Sequence, residues 1–182
     1  MIQRYMFSGS GGQGVISAAI ILAEAALHYG GLNAVQTQVY GPEARGGSAR
    51  SDVILADREI YFPKVLEPNI LICLSQAAYN KYINFVRPGG IVLLDPEFVE
   101  PASSISTRQF SIPMYKNTIE STGSPQTLNM CMLGTLVKLS PVVSKEALQV
   151  VIAERFNEKF RDQNIKAVET GYSLVQESVS TF

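Results

Sequence analysis

The sequence predicts an α/β protein with a mostly parallel β-sheet and helices on both faces. Three observations support this fold class: short apolar segments recur, segments with helical spacing follow them, and turns containing Gly or Pro separate the two kinds. Strand–helix–strand crossovers are right-handed and produce parallel sheets. The 182 residues contain no long linker, low-complexity segment or internal repeat. Residues 1–182 are therefore expected to form a single three-layer domain.

The first forty residues have the pattern of a βαβ unit. Its helix is rich in Ala, Leu and Ile, and Gly30 and Gly31 are expected to end it. The predicted elements are a strand from Ile2 to Phe7, a helix from Val15 to Tyr29 and a strand from Asn33 to Val39.

A β-hairpin insertion is predicted next, because Ser48–Ala56 and Glu59–Phe62 flank the dipeptide Asp57-Arg58. A second strand–helix repeat follows, and its strands are continuous apolar runs of the kind buried in parallel sheets. The elements of this repeat are a strand at Asn69–Ser75, a helix at Gln76–Val86 and a strand at Ile91–Asp95.

The C-terminal half is predicted to be mainly helical. A short strand is expected at Arg108–Ile112, and no other element is predicted between Pro96 and Pro125. Apolar residues at helical spacing predict three helices. These are Leu128–Leu139, Lys145–Phe160 with Ser144 as its N-cap, and Gln163–Val179, in which Gly171 is unfavourable.

Composition and charge narrow the range of partners. Only 17% of the residues are charged, against about 25% in a typical soluble domain, so part of the surface is expected to be covered by another chain. The net charge is −1 with no basic stripe, which argues against nucleic acid. The start of the chain does not resemble a signal peptide, and the longest apolar stretch is too short to span a bilayer. A cytoplasmic location without membrane insertion is expected.

Several residue types that often carry chemistry are interpreted here as structural. Cys73 and Cys131 lie in separate apolar segments and have no CxxC spacing, so both are expected to be reduced core residues. His28 is expected on the surface of the first helix. Four carboxylates near strand ends have no partner at metal-binding spacing, so solvated turn positions are expected for all of them: Asp52, Asp57, Glu59 and Asp95.

The first candidate site is the segment Gly9-Ser10-Gly11-Gly12-Gln13-Gly14, a GxGxxG match between the first predicted strand and helix. Glycines there permit a sharp turn, and the amides at the helix N-terminus can hold an anion. A dinucleotide site also requires an acidic residue at the end of the second strand, where this sequence has Gln36-Thr37-Gln38. Binding of NAD or FAD is therefore not favoured. The turn either holds another phosphate-bearing ligand or only packs the helix on the sheet.

The second candidate site is the loop Tyr40-Gly41-Pro42-Glu43-Ala44-Arg45-Gly46-Gly47, which follows the second predicted strand. Ligand crevices of open α/β sheets lie at that edge. The loop supplies an aromatic ring and both signs of charge on a backbone whose path is set by Pro and Gly. An internal ion pair between Glu43 and Arg45 that merely orders the loop is the alternative interpretation.

The two motifs together, GSGGQG and YGPEARGG, resemble the γ-subunit family of 2-oxoacid:ferredoxin oxidoreductases. The resemblance continues through Tyr61-Phe62-Pro63-Lys64 and Gly89-Gly90 to Asn129 and Leu133-Gly134, and so covers nearly the whole chain. YGPEARGG and Leu74–Tyr79 look most like the subunits specific for 2-oxoglutarate, whereas indolepyruvate relatives typically carry a GMAQRGG-like loop.

This resemblance implies a Rossmann-like fold and a role inside a complex with α-, β- and δ-type subunits. Thiamine diphosphate, magnesium and [4Fe-4S] clusters would lie in those partners, none of them in this chain. CoA would be the co-substrate, and ferredoxin, flavodoxin or another acceptor would receive the electrons. The alternatives are a subunit for pyruvate, a branched-chain 2-oxoacid or indolepyruvate, a stand-alone nucleotide-binding oxidoreductase, and an interaction module without a ligand.

No residue of this chain is expected to be catalytic. The residues expected at the CoA entrance or at a subunit interface are the two glycine-rich segments. They are Gly9, Ser10, Gly11, Gly12, Gln13, Gly14, Tyr40, Gly41, Pro42, Glu43, Arg45, Gly46 and Gly47.

Overall fold

The computed structural model describes residues 1–40 and 48–179, and it contains one six-stranded mixed sheet with helices on both faces. The strands are β1 (Ile2–Ser10), β2 (Asn33–Tyr40), β3 (Ser48–Ala56), β4 (Ile70–Cys73), β5 (Ile91–Leu94) and β6 (Arg108–Ser111). The helices are α1 (Val15–Tyr29), α2 (Gln76–Tyr82), α3 (Met114–Thr122), α4 (Leu128–Leu139), α5 (Lys145–Arg155) and α6 (Glu158–Val179). Short 3-10 turns occupy Ile83–Phe85 and Pro125–Thr127.

The strand order is β2-β3-β1-β4-β5-β6, and only β3 runs against the others. Thus β1 and β2 are parallel, as the βαβ pattern predicts, but β3 lies between them and pairs with both along their lengths. The α/β fold class with a mostly parallel sheet is confirmed. The five parallel strands end at one side of the sheet, where β3 begins, and we call this side the carboxyl edge.

The predicted β-hairpin is wrong in its second strand. The segment Glu59–Phe62 is not a strand, because β3 already forms ladders with β1 on one side and β2 on the other and has no free edge left for it. Residues 57–69 instead form an irregular segment over one face of the sheet, and we call it the strap. Ile60 and Val65 of the strap pack into the apolar core on that face.

Two apolar cores lie on opposite faces of the sheet because side chains alternate along each strand. The larger core joins Tyr5 and Phe7 of β1 to helices α1, α3, α4, α5 and α6. The smaller core joins Met6 of β1 to α2 and the strap. Fully buried strands β4 and β5 contribute to both cores. This arrangement gives the three predicted layers.

The helical half departs from the prediction in three places. The helix expected from Lys145 to Phe160 ends at Arg155, and α6 begins at Glu158, five residues before its predicted start. Helix α3 was not predicted, because it is short and mostly polar and buries only Met114 and Thr118. Bounds of α1 and α4 agree with the prediction. Among the described residues, no helix is long and apolar enough to cross a bilayer.

Candidate functional site

The first glycine-rich segment and the strand ends that flank the second lie at the carboxyl edge of the sheet. Ser10, the last residue of β1, is paired with Ser48, the first residue of β3. Tyr40, the last residue of β2, is paired with Ala49. The backbone of the glycine turn (Gly9–Gly14) therefore begins beside Ser48, and Tyr40 lies across β3 from it. Gly41, Pro42, Glu43, Arg45, Gly46 and Gly47 lie outside the described residues, as does the predicted Glu43–Arg45 pair.

The glycine turn is held in place by the side chain of Gln13. Its Oε1 accepts a hydrogen bond from the Ser10 N–H at 2.7 Å, and its Nε2 donates to the Leu74 carbonyl at 2.8 Å. Gln13 thus closes the turn on itself and fastens it to the chain leaving β4. A Cβ at Gly9 would come within 2.5 Å of Gln13 Oε1 and 3.2 Å of Leu74 Cβ. Glycine is required there for close packing, which is the structural role that the sequence left open.

Gly14 connects the turn to the start of α4. It has φ +72°, a left-handed conformation that side chains disfavour, and a Cβ on it would lie 2.5 Å from Asn129 Nδ2. The Asn129 amide donates to the Gly14 carbonyl at 3.3 Å. Asn129 is buried, at 7% exposure, so the N-terminus of α4 is packed directly against the start of α1.

The N-terminal end of α1 packs against Asn129 but leaves the tip of the glycine turn exposed. Among the described residues, no side chain caps it, and its first turn contains no acidic residue. Gly11 and Gly12 are exposed, and a Cβ at Gly12, where φ is +90°, would meet no atom within 4 Å. Unpaired amides at the positive end of a helix dipole can hold an anion. This end of α1 therefore offers both space and polarity for a phosphate group.

Helix α3 also begins at the carboxyl edge, but a side-chain carboxylate occupies its N-terminus. Asp95, directly after β5, accepts hydrogen bonds from the Tyr115 N–H at 2.6 Å and from the Glu97 N–H at 2.9 Å. The side chain is 1% exposed. Burial raises the pKa of Asp95, and the bonds from the backbone N–H groups of Glu97 and Tyr115 counteract this rise. A solvated position was predicted for Asp95, and that prediction is wrong because the carboxylate caps α3.

Asp52 was also predicted to be solvated, and it is 5% exposed. It forms a bidentate ion pair with Arg50, with distances of 2.8 Å and 2.6 Å. The two residues are two apart on β3 and so share a face of the sheet, which is the sequence signal that could have identified the pair. Asp57 and Glu59 are exposed, as predicted.

The cysteines do not form a metal site with each other. Cys73 and Cys131 are both free and buried, and they lie in the two cores on opposite faces of the sheet. Burial raises the pKa of Cys131 to about 11 and that of Cys73 further. Their interpretation as reduced core residues is confirmed. A four-cysteine cluster does not fit this chain, because the whole sequence contains two cysteines. His28 is exposed on α1, as predicted.

Comparison with known proteins identifies the family. The family model of pyruvate ferredoxin/flavodoxin oxidoreductase matches residues 4–174. The chain belongs to this family. Two relatives are named 2-oxoglutarate synthase subunit KorC. The one from Methanocaldococcus jannaschii is 40% identical over 97% of this chain and 96% of its own length. The one from Methanothermobacter thermautotrophicus is 38% identical over 93% of each chain.

Relatives named for other 2-oxoacids are less similar. Ketoisovalerate oxidoreductase subunit VorA of Methanothermobacter marburgensis is 30% identical over 92% of this chain, which corresponds to 35% of that longer protein. Pyruvate synthase subunit PorC of M. jannaschii is 28% identical over 92% of this chain. The crystal structure of a keto/oxoacid ferredoxin oxidoreductase gamma subunit from Geobacter sulfurreducens matches with a TM-score of 0.89, 34% identity and 98% coverage of both chains.

Proposed function

We propose that this chain is the γ subunit of a cytoplasmic 2-oxoglutarate:ferredoxin (acceptor) oxidoreductase. The complex would convert 2-oxoglutarate and CoA to succinyl-CoA and CO₂ and pass two electrons to ferredoxin, flavodoxin or another acceptor. One observation carries the substrate assignment. Identity is 38–40% over nearly the full length of the 2-oxoglutarate synthase subunits, but 28–30% for subunits named for pyruvate and ketoisovalerate.

The chain would support this reaction without carrying its redox groups. Its two buried cysteines rule out a four-cysteine cluster of its own, and no group of three or more metal-ligating side chains occurs among residues 1–40 and 48–179. As the family resemblance implies, thiamine diphosphate, magnesium and [4Fe-4S] clusters would lie in α-, β- and δ-type partner subunits. The chain itself would position the partner subunits and, at the carboxyl edge, attract the phosphates of CoA.

The glycine turn and the Tyr40–Gly47 segment are proposed to face the partners and to shape the entrance for CoA. Three observations support this: the backbone register brings the glycine turn, Tyr40 and Ser48 to one edge, the start of α1 has no side-chain cap, and Gly11 and Gly12 are exposed beside it. The α1 amides and Arg45 would attract the phosphates of CoA. Tyr40 and Pro42 would pack on the neighbouring subunit.

The CoA role is tested by Arg45→Ala in the assembled complex, with Arg108→Ala as the matched control. Arg108 is an exposed arginine at the start of β6, at the side of the sheet opposite the carboxyl edge. Loss of one charge-assisted phosphate contact is worth about 1.5–3 kcal/mol, so the KM for CoA should rise roughly tenfold or more in Arg45→Ala while the KM for 2-oxoglutarate stays unchanged. Equal CoA kinetics and equal subunit association in the two variants would exclude this role for Arg45.

The overall function is tested by anaerobic isolation of the tagged chain from its native host. The associated proteins are identified, and dye reduction is assayed with 2-oxoglutarate, pyruvate, 2-oxoisovalerate and indolepyruvate, each with and without CoA. Recovery of thiamine- and iron–sulfur-binding subunits with activity highest on 2-oxoglutarate is expected. Highest activity on another 2-oxoacid would move the assignment to that substrate. A lone chain with bound flavin would support the nucleotide-binding alternative instead.

A further inference from the structure

The strap presents large apolar side chains to solvent. Tyr61 is 87% exposed, Phe62 59% and Leu66 66%. Most monomers bury their aromatic residues at least in part, and neighbouring exposed aromatic side chains are typical of binding surfaces. Tyr61 has one polar contact of its own, because its hydroxyl donates to Glu59 at 2.6 Å. The remaining ring surface is uncovered in this chain.

The strap is nevertheless anchored. Its residue Val65 is 3% exposed, and the Val65 carbonyl accepts a hydrogen bond from Arg50 Nη2 at 3.0 Å. Arg50 is itself fixed by its ion pair with Asp52 and by the ring of Tyr82, whose centroid is 5.1 Å away. The carbonyl of Pro68 accepts from the Arg87 N–H at 3.1 Å. Tyr61 and Phe62 are therefore displayed from a supported backbone.

The exposed aromatic residues of the strap lie next to an edge strand of the sheet. Strand β2 is the last strand on this side of the described sheet, and a groove of about 340 Å³ runs between Leu27, residues 33–35 of β2, and Glu59–Tyr61 of the strap. The β2 sequence NAVQTQVY contains neither charge nor Pro. Edge strands are usually protected by such residues. Strand β2 lacks charged residues and Pro and is bordered by exposed Leu27 and Tyr61. Such an edge is suited to being covered by another polypeptide chain.

The exposed area of the patch favours a larger partner over a second copy of this chain. With about 200 Å² for each full side chain, which is generous for leucine, Tyr61, Phe62 and Leu66 together expose roughly 400 Å². Two copies of the chain meeting through this patch would bury about 800 Å² in total, below the roughly 1,000 Å² that a stable interface requires. The patch has the size of the apolar centre of a standard interface, whose remainder a larger partner must supply.

We infer that the strap patch, defined as Tyr61, Phe62 and Leu66, is the docking surface for an apolar face of a larger partner subunit of the same oxidoreductase. This inference rests on the proposed function and adds a location for the subunit contact. A length comparison supports it: in the ketoisovalerate relative, the region similar to this chain makes up about a third of a longer protein. There the domain is covalently joined to further polypeptide, whereas this chain must bind its partner through its surface.

The test uses the tagged complex and the double variant Tyr61→Ser/Phe62→Ser. Phe160→Ser is the matched control, because Phe160 is an aromatic residue of similar exposure, 45%, on α6. Truncating aromatic residues at the centre of an interface weakens binding strongly, so the apparent dissociation constant for the partner subunits should rise at least tenfold in the double variant. It should remain at the wild-type value in Phe160→Ser. Thermal melting of each purified chain checks that all three are equally folded.

Three results would overturn the inference. If the wild type co-purifies with its partners and the double variant retains them as well as Phe160→Ser does, the strap patch is not the docking surface. The proposed function would still stand. If the isolated wild-type chain dimerises and the double variant does not, the patch joins two copies of this chain. Recovery of the wild type without any partner would defeat the proposed function and the inference together.

Discussion

Two regions of this molecule use glycine for opposite purposes. Where α4 crosses α6, Gly134 and Gly171 remove side-chain volume so that two helix backbones touch. A Cβ on Gly134 would overlap the Val168 carbonyl oxygen, and one on Gly171 would overlap that of Cys131. In the glycine turn, Gly12 has no protein atom within 4 Å of the position that a Cβ would occupy. Gly134 and Gly171 allow two helices to pack backbone against backbone, whereas Gly12 leaves unfilled space at the surface of the protein.

The difference shows that glycine content alone does not locate a site. Gly9 and Gly14 of the same turn behave like the helix-crossing glycines, since added Cβ atoms would meet Gln13 and Asn129. Only the exposed tip, Gly11 and Gly12, is left open. Substitutions at these positions should therefore divide into those that cost stability and those that affect ligand binding.

The largest effect is expected from Gly171→Ala. The new methyl group would overlap a backbone carbonyl, which cannot rotate away as a side chain can, so α4 and α6 must separate. We expect a loss of about 3 kcal/mol in the free energy of unfolding, measured by urea denaturation. Ser173→Ala, at an exposed position of the same helix, is the control. A loss below 1 kcal/mol at Gly171 would mean that the two helices are not in backbone contact.

The next largest loss of stability is expected at the N-terminus of α3, which Asp95 caps. Asp95→Ala leaves the part-buried N–H groups of Glu97 and Tyr115 without their acceptor, and we expect a loss of about 2 kcal/mol. The exposed Asp162→Ala is the control.

The stability effect of Asp95 should also depend on pH. Because the pKa of Asp95 is raised in the folded state, its stabilising contribution is complete below the unfolded pKa of about 3.9 and decreases as pH rises through the folded value. Unfolding measured near pH 4 and at pH 8 should therefore show the larger loss near pH 4. A larger loss at pH 8 would contradict the raised pKa.

A smaller effect is expected from Gly14→Ala. The left-handed backbone costs about 1–2 kcal/mol for a residue with a side chain, and the Cβ would also displace the Asn129 amide. Since that amide belongs to a side chain, Asn129→Ala should relieve part of the clash. The double variant should lose less stability than the sum of the two single variants. Strict additivity in a double-mutant cycle would show that Gly14 and Asn129 are not in contact.

The smallest stability effect, and the most informative for function, is expected from Gly12→Ala. Its cost of about 1 kcal/mol should come from the backbone alone. Gly89→Ala is matched to it, because Gly89 has φ +77° and equally open surroundings in a turn away from the carboxyl edge. In the complex, only Gly12→Ala should raise the KM for CoA, by about threefold to tenfold. The same CoA kinetics in both variants would mean that the open tip faces no ligand.

The sequence predicted the parts of the fold that local pattern determines. Helix α1 has the predicted bounds, Val15–Tyr29, because Ala and Leu run from one glycine turn to the next. The short buried strands β4 and β5 were identified from continuous apolar runs. By contrast, the insertion of β3 between β1 and β2 depends on long-range pairing that no local pattern records. Within the strap, Glu59–Phe62 was mistaken for a strand because Ile, Tyr and Phe are common in strands.

The flanks of the candidate site were predictable from the sequence, but their contacts were not. Placement of both glycine-rich segments at strand ends predicted that they share an edge. The glycine turn, Tyr40 and Ser48 lie at one edge, whereas residues 41–47 lie outside the described residues, so for them this stays a prediction. The role of Gln13 required the structure, because its partner Leu74 is 61 residues away. The burial of Asp95 was missed for the same reason: its partner, the N–H of Tyr115, belongs to a helix whose polar sequence gave no signal.

The central claim, that this chain is a working part of a 2-oxoglutarate oxidoreductase, is tested most directly by omission and add-back. The partner subunits are prepared anaerobically without the chain, and CoA-dependent formation of succinyl-CoA from 2-oxoglutarate is measured before and after the purified chain is added. The account predicts that activity is absent or strongly reduced until the chain is supplied at stoichiometric amount. Full activity of the partner subunits without the chain would contradict it.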